Sequence, residues 1–184
     1  MLRKEMTKVE IEKELSGKGD YVLIDNMTRF LKENPPLDIK KFVSLKLVEI
    51  YEKRAMFGDA AELYSRLVEI ALNNSDKVNY LTKQTECYVR AGFFDKADLA
   101  LKRAVAEASI AERAKITMSI KEFYKKQAQM YEKEKRRNNA MKTYEKMLTM
   151  NFSEAEKMEI NQKLAGIYKE LGLVERYMST ERKL

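Results

Sequence analysis

The sequence predicts an all-α fold: an α-solenoid of about five antiparallel helix pairs forming a single domain over residues 1–184. Three observations predict it. A helix–turn–helix unit recurs along the chain. Its apolar positions fall at helical spacing, as Leu81, Thr85 and Tyr88 do. Apolar residues make up 45% of the chain while prolines number two and glycines six, which leaves a core to bury and little room for linkers. Two short helices cannot each bury an apolar stripe alone, so the unit must stack against copies of itself.

The clearest copy runs from Leu81 to Ala104. Gly92 ends its first helix, and Asp95 is read as the cap of the second, whose inward face is Ala97, Leu101 and Ala104. Anchoring the pattern on Tyr88 places Tyr51, Tyr131, Tyr168 and, more loosely, Leu15 in the same slot, at successive spacings of 36, 37, 43 and 37 residues. Nine residues beyond each anchor stand Ile24, Ala60, Ala97, Ala140 and Tyr177. The turn slot holds Gly19, Ala55, Gly92, Lys135 and Gly172, and the slot after the turn holds Tyr21, Phe57, Phe94, Arg137 and Val174.

Tyr88, Gly92, Phe94, Ala97, Leu101 and Ala104, with Gly19, Tyr21, Leu31 and Pro36 of the first copy, make the chain resemble the tetratricopeptide repeat (TPR) family. The resemblance covers nearly the whole sequence. A period of 37 or more exceeds the usual length of about 34 and is similar to longer-repeat relatives such as the SNAP-type adaptors of membrane fusion. It implies a right-handed solenoid in which the first helix of each pair lines a concave groove.

In order, the predicted pairs cover approximately residues 2–34, 38–73, 76–108, 110–150 and 153–184. The first helix is placed at Leu2 to Leu15, with Asp20 capping its partner. Pro35 and Pro36 forbid continuation, and Asp38 is read as the next cap. Gly58-Asp59 opens the fourth helix, and Asn73 to Asp76 is a break. Ser109 to Glu112 and Ser153 to Glu156 are capping boxes. The helix after the first box runs to Lys135, about 39 Å at about 1.5 Å per residue. The long spacing of 43 puts six extra residues between 105 and 123, so one or both helices there should project. The last helix, Val174 to Leu184, turns Tyr177 and Glu181 to the inward slots. That fits a terminal helix facing water, and equally a chain that ends before its array.

Composition narrows the function. Histidine is absent, which removes the usual acid–base group near neutral pH. The single cysteine, Cys87, excludes a disulfide framework and suits a reducing compartment; within a helix beside Tyr88 it reads as a small structural residue. GKGD at 17–20 lacks the frame of a phosphate-binding loop and joins two helices. No catalytic residue, cofactor or metal site is expected. The opening MLRKEMTKVEIEKEL has no apolar core of a secretory signal, and no stretch approaches the roughly 20 apolar residues of a membrane span. A cytoplasmic protein is expected.

Two basic constellations are candidate sites. Five residues before each anchoring tyrosine stand Lys46, Lys83, Lys126 and Lys163. Stacked, they would form a ladder facing the groove and favour an acidic peptide or a C-terminal carboxylate. Against this, Lys46 and Lys83 have Glu49 and Glu86 three residues on, and Glu122 and Glu159 precede Lys126 and Lys163 by four. The family's clamp for chaperone tails uses asparagines where this chain has Glu49, Glu86, Gln129 and Gly166, so that activity is not implied. The net charge of +7 is the excess of residues 101–150, with 13 basic and 6 acidic side chains. There Lys125, Lys126, Lys133, Lys135, Arg136 and Arg137 make the second candidate, suited to a phosphate backbone, an anionic surface or an acidic protein. It is otherwise a solvated turn. The tyrosine series reads as packing whose hydroxyls need partners.

The resemblance implies a non-catalytic scaffold or adaptor that holds a partner protein's peptide or helix in the concave groove. The runner-up is an RNA- or anionic-surface-binding repeat using the 125–137 cluster. A third reading is self-association through the terminal pair.

Overall fold

The computed structural model describes residues 2–182 and 184, and among these it is helical throughout, with ten helices and no strand. The chain divides into two compact units, Met1–Arg113 and Ala114–Leu184. The first contains α1 (Lys8–Leu15), α2 (Asp20–Lys32), α3 (Leu37–Lys53), α4 (Phe57–Glu69), α5 (Asn74–Ala91) and α6 (Phe94–Glu107). The division falls inside α7 (Ile110–Lys133), and the second unit continues with α8 (Arg137–Leu148), α9 (Glu154–Glu170) and α10 (Val174–Glu181). In the first unit α2 through α5 each pack on the next helix in chain order, and in the second α8 packs on α9 and α9 on α10. Among the described residues no helix is long and apolar enough to cross a membrane.

Burial follows the helical stripes. Ile11, Met27, Phe30, Val43, Leu47, Leu67, Leu81 and Val89 fill the first unit, and Ile120, Tyr124, Met147 and Leu164 the second. Ala60, Ala97 and Ala140, nine residues beyond their anchors, are all fully buried, and their small side chains let neighbouring helices approach closely. Tyr177 in the same slot of α10 is half-buried and Glu181 is exposed, so Thr180 alone is buried on that helix.

The anchor is a backbone device. The N–H of Met56, Phe93, Arg136 and Leu173 donates to the carbonyl of Tyr51, Tyr88, Tyr131 and Tyr168 at 2.8, 2.9, 2.8 and 2.9 Å. The residue before each donor is left-handed, with φ of 56° at Ala55, 77° at Gly92, 57° at Lys135 and 70° at Gly172. This is a Schellman motif, in which a left-handed residue lets the chain reverse while the last carbonyls stay bonded. The donor residue then adopts φ near −85° and ψ near +60° in all four turns and leads straight into the second helix without a side-chain cap. That is why Asp95, read as a cap, lies in the first turn of α6 instead, where the helix dipole favours an acid.

The first copy departs from the pattern. Gly17 carries the positive φ of 74°, and Gly19, read as the turn residue, is the N-cap of α2 at φ −70°. One more residue therefore separates the left-handed position from the second helix. Asp20 and Asp38, read as caps, are first-turn residues behind Gly19 and Pro36. The first helix starts at Lys8 and not at Leu2, because Thr7 and Glu10 close a capping box around its start. Of the two capping boxes read from the sequence, Ser153 with Glu156 forms in full, and at Ser109 the Glu112 carboxylate accepts from the serine N–H at 3.1 Å while the Glu112 N–H donates to the Ser109 carbonyl. The last helix ends at Glu181; of the residues predicted to extend it, Lys183 lies outside the described residues.

The six extra residues belong to α7, which has 24 residues against 17, 18 and 17 in α3, α5 and α9. Its residues 110–115 are all exposed, and Ile116 is the first to be buried.

The turn makes a stability prediction. Lys135 has a Cβ in a left-handed conformation, which costs an L-residue about 1–2 kcal/mol. Lys135→Gly should therefore raise stability by about 1 kcal/mol, read as a higher urea midpoint at unchanged m-value. Gly92→Ala should lower it by about as much through conformation alone, since a Cβ built there meets nothing within 4 Å.

Candidate functional site

Residues at matching slots bridge consecutive repeats. The first turn of a second helix meets the last turn of the next first helix, always 33 residues on. The Arg54 guanidinium lies 4.5 Å from the Tyr21 ring centre and donates to its hydroxyl. Arg90 lies 5.2 Å from the Phe57 ring centre. In the second unit Arg137 forms an ion pair with Glu170 in the same two slots. Each bridge joins a cation to an aromatic face or a carboxylate.

The tyrosine hydroxyls find partners. Tyr88 donates to Glu62 at 3.0 Å, and Lys96 donates to the same carboxylate oxygen at 3.0 Å. Tyr168 and Arg176 repeat this on Glu145 at 2.8 and 2.7 Å. The hydrogen bond from Lys96 is the main reason the Glu62 carboxyl is held below its usual range. Burial, then the Glu145 bond, pushes the Tyr168 hydroxyl up to about 12. A further carboxylate, Glu52, accepts from the Tyr64 hydroxyl at 3.1 Å, from the Cys87 thiol at 3.7 Å and from Arg90 at 3.4 Å. Cys87 is 1% exposed, and burial pushes its thiol up to about 12, which suits the structural role read for it. Eighty residues on, burial and then Glu132 raise the Tyr144 hydroxyl in the same way that burial and Glu52 raise Tyr64. The tyrosines thus pack and bridge. Sequence reading missed their carboxylates, Glu62 and Glu145, although Lys96 and Arg176 each stand eight residues past an anchor.

The lysine ladder is divided. Lys46 and Lys83 lie in the first unit, Lys126 and Lys163 in the second. Lys83 pairs with Glu86 at 2.9 Å, as its own helix face predicts. Lys46 does not use Glu49: it reaches across to Glu12 on α1 at 2.8 Å and lies 5.0 Å from the Phe42 ring centre. Lys163 does not use Glu159 but faces Glu132 on α7 at 3.8 Å. Glu122 takes Lys125 at 3.2 Å and not Lys126, which is exposed and makes no ion pair among the described residues. Side chains of neighbouring first helices are close enough to compete with pairs three or four residues apart, and here they win in two of four cases.

Half of the basic cluster is engaged in the fold. Lys125 pairs with Glu122 and, at 2.8 Å, with Glu156, and lies 5.5 Å from the Phe152 ring centre. Lys121 sits over the same ring and bonds the Asn151 carbonyl. Arg136 stacks 4.6 Å from the Tyr131 ring centre, where Phe93 packs on Tyr88 in the equivalent turn, and pairs with Glu134 at 3.4 Å. Arg137 is held by Glu170. Lys133 and Lys135 are exposed. The departures from the repeat consensus at Arg136 and Arg137 are thus themselves packing positions.

Two clefts lie where neighbouring first helices diverge over the second helix between them. One, of about 320 Å³, is lined by Leu15, Leu23, Met27 and Ile50, with Glu12, Lys46 and Glu49 as its charged residues. The other, of about 240 Å³, joins Tyr144, Met147 and Ile160 to Lys125, Glu156, Glu159 and Lys163. Each includes a ladder lysine.

Acid titration tests the Lys125–Glu156 contact. Lys125, with the Ser153 cap behind it, holds the Glu156 carboxyl down at about 2. A carboxyl depressed in the folded state stabilises above its unfolded pKa, and that contribution is lost as pH falls through the folded value. The excess melting temperature of the native chain over Glu156→Gln should therefore be full at pH 6 and shrink steadily between about pH 4.5 and about 2.

No protein-family model matches the chain, and no curated protein matches it in sequence.

Proposed function

We propose that the chain is a non-catalytic protein-interaction module, a cytoplasmic scaffold or adaptor that seats a segment of another protein against its first helices. The helix pairs would stack in the right-handed manner that the tetratricopeptide resemblance implies. The single observation that carries this reading is the repeated cleft. In both units, neighbouring first helices and the second helix between them leave a recess that combines apolar residues with charged residues of both signs. Apolar clefts with a few placed polar groups are where protein and peptide side chains anchor. The lysines at the clefts are already held by carboxylates, so they orient a partner more than they attract it over distance.

Affinity capture on the immobilised chain, with and without nuclease and eluted by a salt gradient, tests this. Parallel baits carry Ser16→Trp, which fills the first cleft, and Lys126→Glu. The expected outcome is a nuclease-resistant protein band that weakens at least about tenfold on the Ser16→Trp bait. Nucleic acid eluting at modest salt, with no protein band after nuclease and loss on Lys126→Glu, would replace this reading with nucleic-acid binding.

A further inference from the structure

We infer that the cleft between α1 and α3 takes an apolar side chain flanked by a cation, presented by a basic amphipathic segment of a partner protein. The inference rests on the protein-interaction reading and adds the chemistry of the partner.

The recess determines the apolar part. Its volume of about 320 Å³ admits a leucine, methionine or phenylalanine side chain. Met27 is 1% exposed and Leu15 8% exposed, so these two are the packed floor of the cleft, while Leu23 and Ile50 are half-buried.

The charge left after internal pairing determines the rest. Lys46 is the one cation of the cleft, and it is spoken for on two sides, by Glu12 at 2.8 Å and by the Phe42 ring. Glu49 is exposed and makes no ion pair among the described residues. Glu12 and Glu49 against Lys46 leave one net negative charge at the rim. Read alone, the lysine ladder favours an acidic partner; with Lys46 neutralised by α1, the sign at this cleft reverses. An incoming carboxylate would have to displace Glu12 from Lys46 and would face Glu49. An incoming lysine or arginine gains Glu49 without breaking a contact. The second cleft differs, because its two lysines and two glutamates balance.

Two fluorescein-labelled 18-residue helical peptides test this. They share one leucine stripe, and one carries arginines beside it where the other carries glutamates. Anisotropy titrations use the full chain and its Glu49→Lys and Ser16→Trp variants, with circular dichroism confirming that both variants fold. The arginine peptide should bind at least about tenfold more tightly than the glutamate peptide. Glu49→Lys should abolish that preference, and Ser16→Trp should weaken the arginine peptide about tenfold. The net charge of +7 makes the comparison stringent, since long-range attraction would favour the glutamate peptide. Tighter binding of the glutamate peptide, still blocked by Ser16→Trp, would overturn the cationic partner and leave the docking cleft standing. No binding of either peptide, or binding of both that ignores Ser16→Trp, would overturn the cleft as a docking site and with it the observation on which the interaction reading rests.

Discussion

The hydrogen bond from the fifth residue after each anchoring tyrosine back to the tyrosine carbonyl sets the geometry on which the rest of this chain depends. It forms at 2.8–2.9 Å in four turns and forces one left-handed residue in each. Backbone geometry, and not side-chain chemistry, defines the turn, so it tolerates alanine and lysine as well as glycine at that position. The same geometry brings side chains at constant offsets together. Phe93 packs on Tyr88, and Arg136 takes the corresponding place on Tyr131. A repeat can thus change the character of its turn from aromatic to cationic while its path stays the same.

The bridges 33 residues apart show how contacts are exchanged as wholes. Phe57 with Arg90 becomes Arg137 with Glu170, a cation over a ring becoming a cation beside a carboxylate. Changing one partner alone would leave a charge without its counterpart; changing both keeps the bridge. This bears directly on charge. The basic excess of residues 101–150 looks like a binding surface when counted along the chain. In the folded unit, Lys125, Arg136 and Arg137 pair with Glu156, Glu134 and Glu170, contacts that a count along the chain does not show.

The candidate site was legible in part. The slot of Lys46, Lys83, Lys126 and Lys163 was readable because each stands five residues before an anchoring tyrosine. Their partners were not. Sequence proximity pointed Lys46 to Glu49 and Lys163 to Glu159, yet Lys46 turns to Glu12, 34 residues back, and Lys163 to Glu132, 31 back. A long lysine stem reaches a neighbouring helix as easily as its own next turn, and the pairwise gain on one helix is only a few tenths of a kcal/mol, too small to decide. Glu49 becomes a free carboxylate by this choice, and the polarity of the first cleft changes with it.

By itself, the sequence determined the helical class, the positions of the four tyrosine-anchored turns, the helix starts at Ser109 and Ser153, and the place of the extra residues in the long junction. These are local properties: periodicity, a left-handed residue, a serine three residues before a glutamate. Where local signals were weak, at Gly17 and Gly19 and at the start of α1, the register slipped by a residue or several. Only the tertiary structure decided which charges cancel, which tyrosine hydroxyl meets which carboxylate, and where a recess opens between first helices. Those outcomes depend on distances between residues some 12–38 positions apart on different helices, which become short only when those helices have packed together.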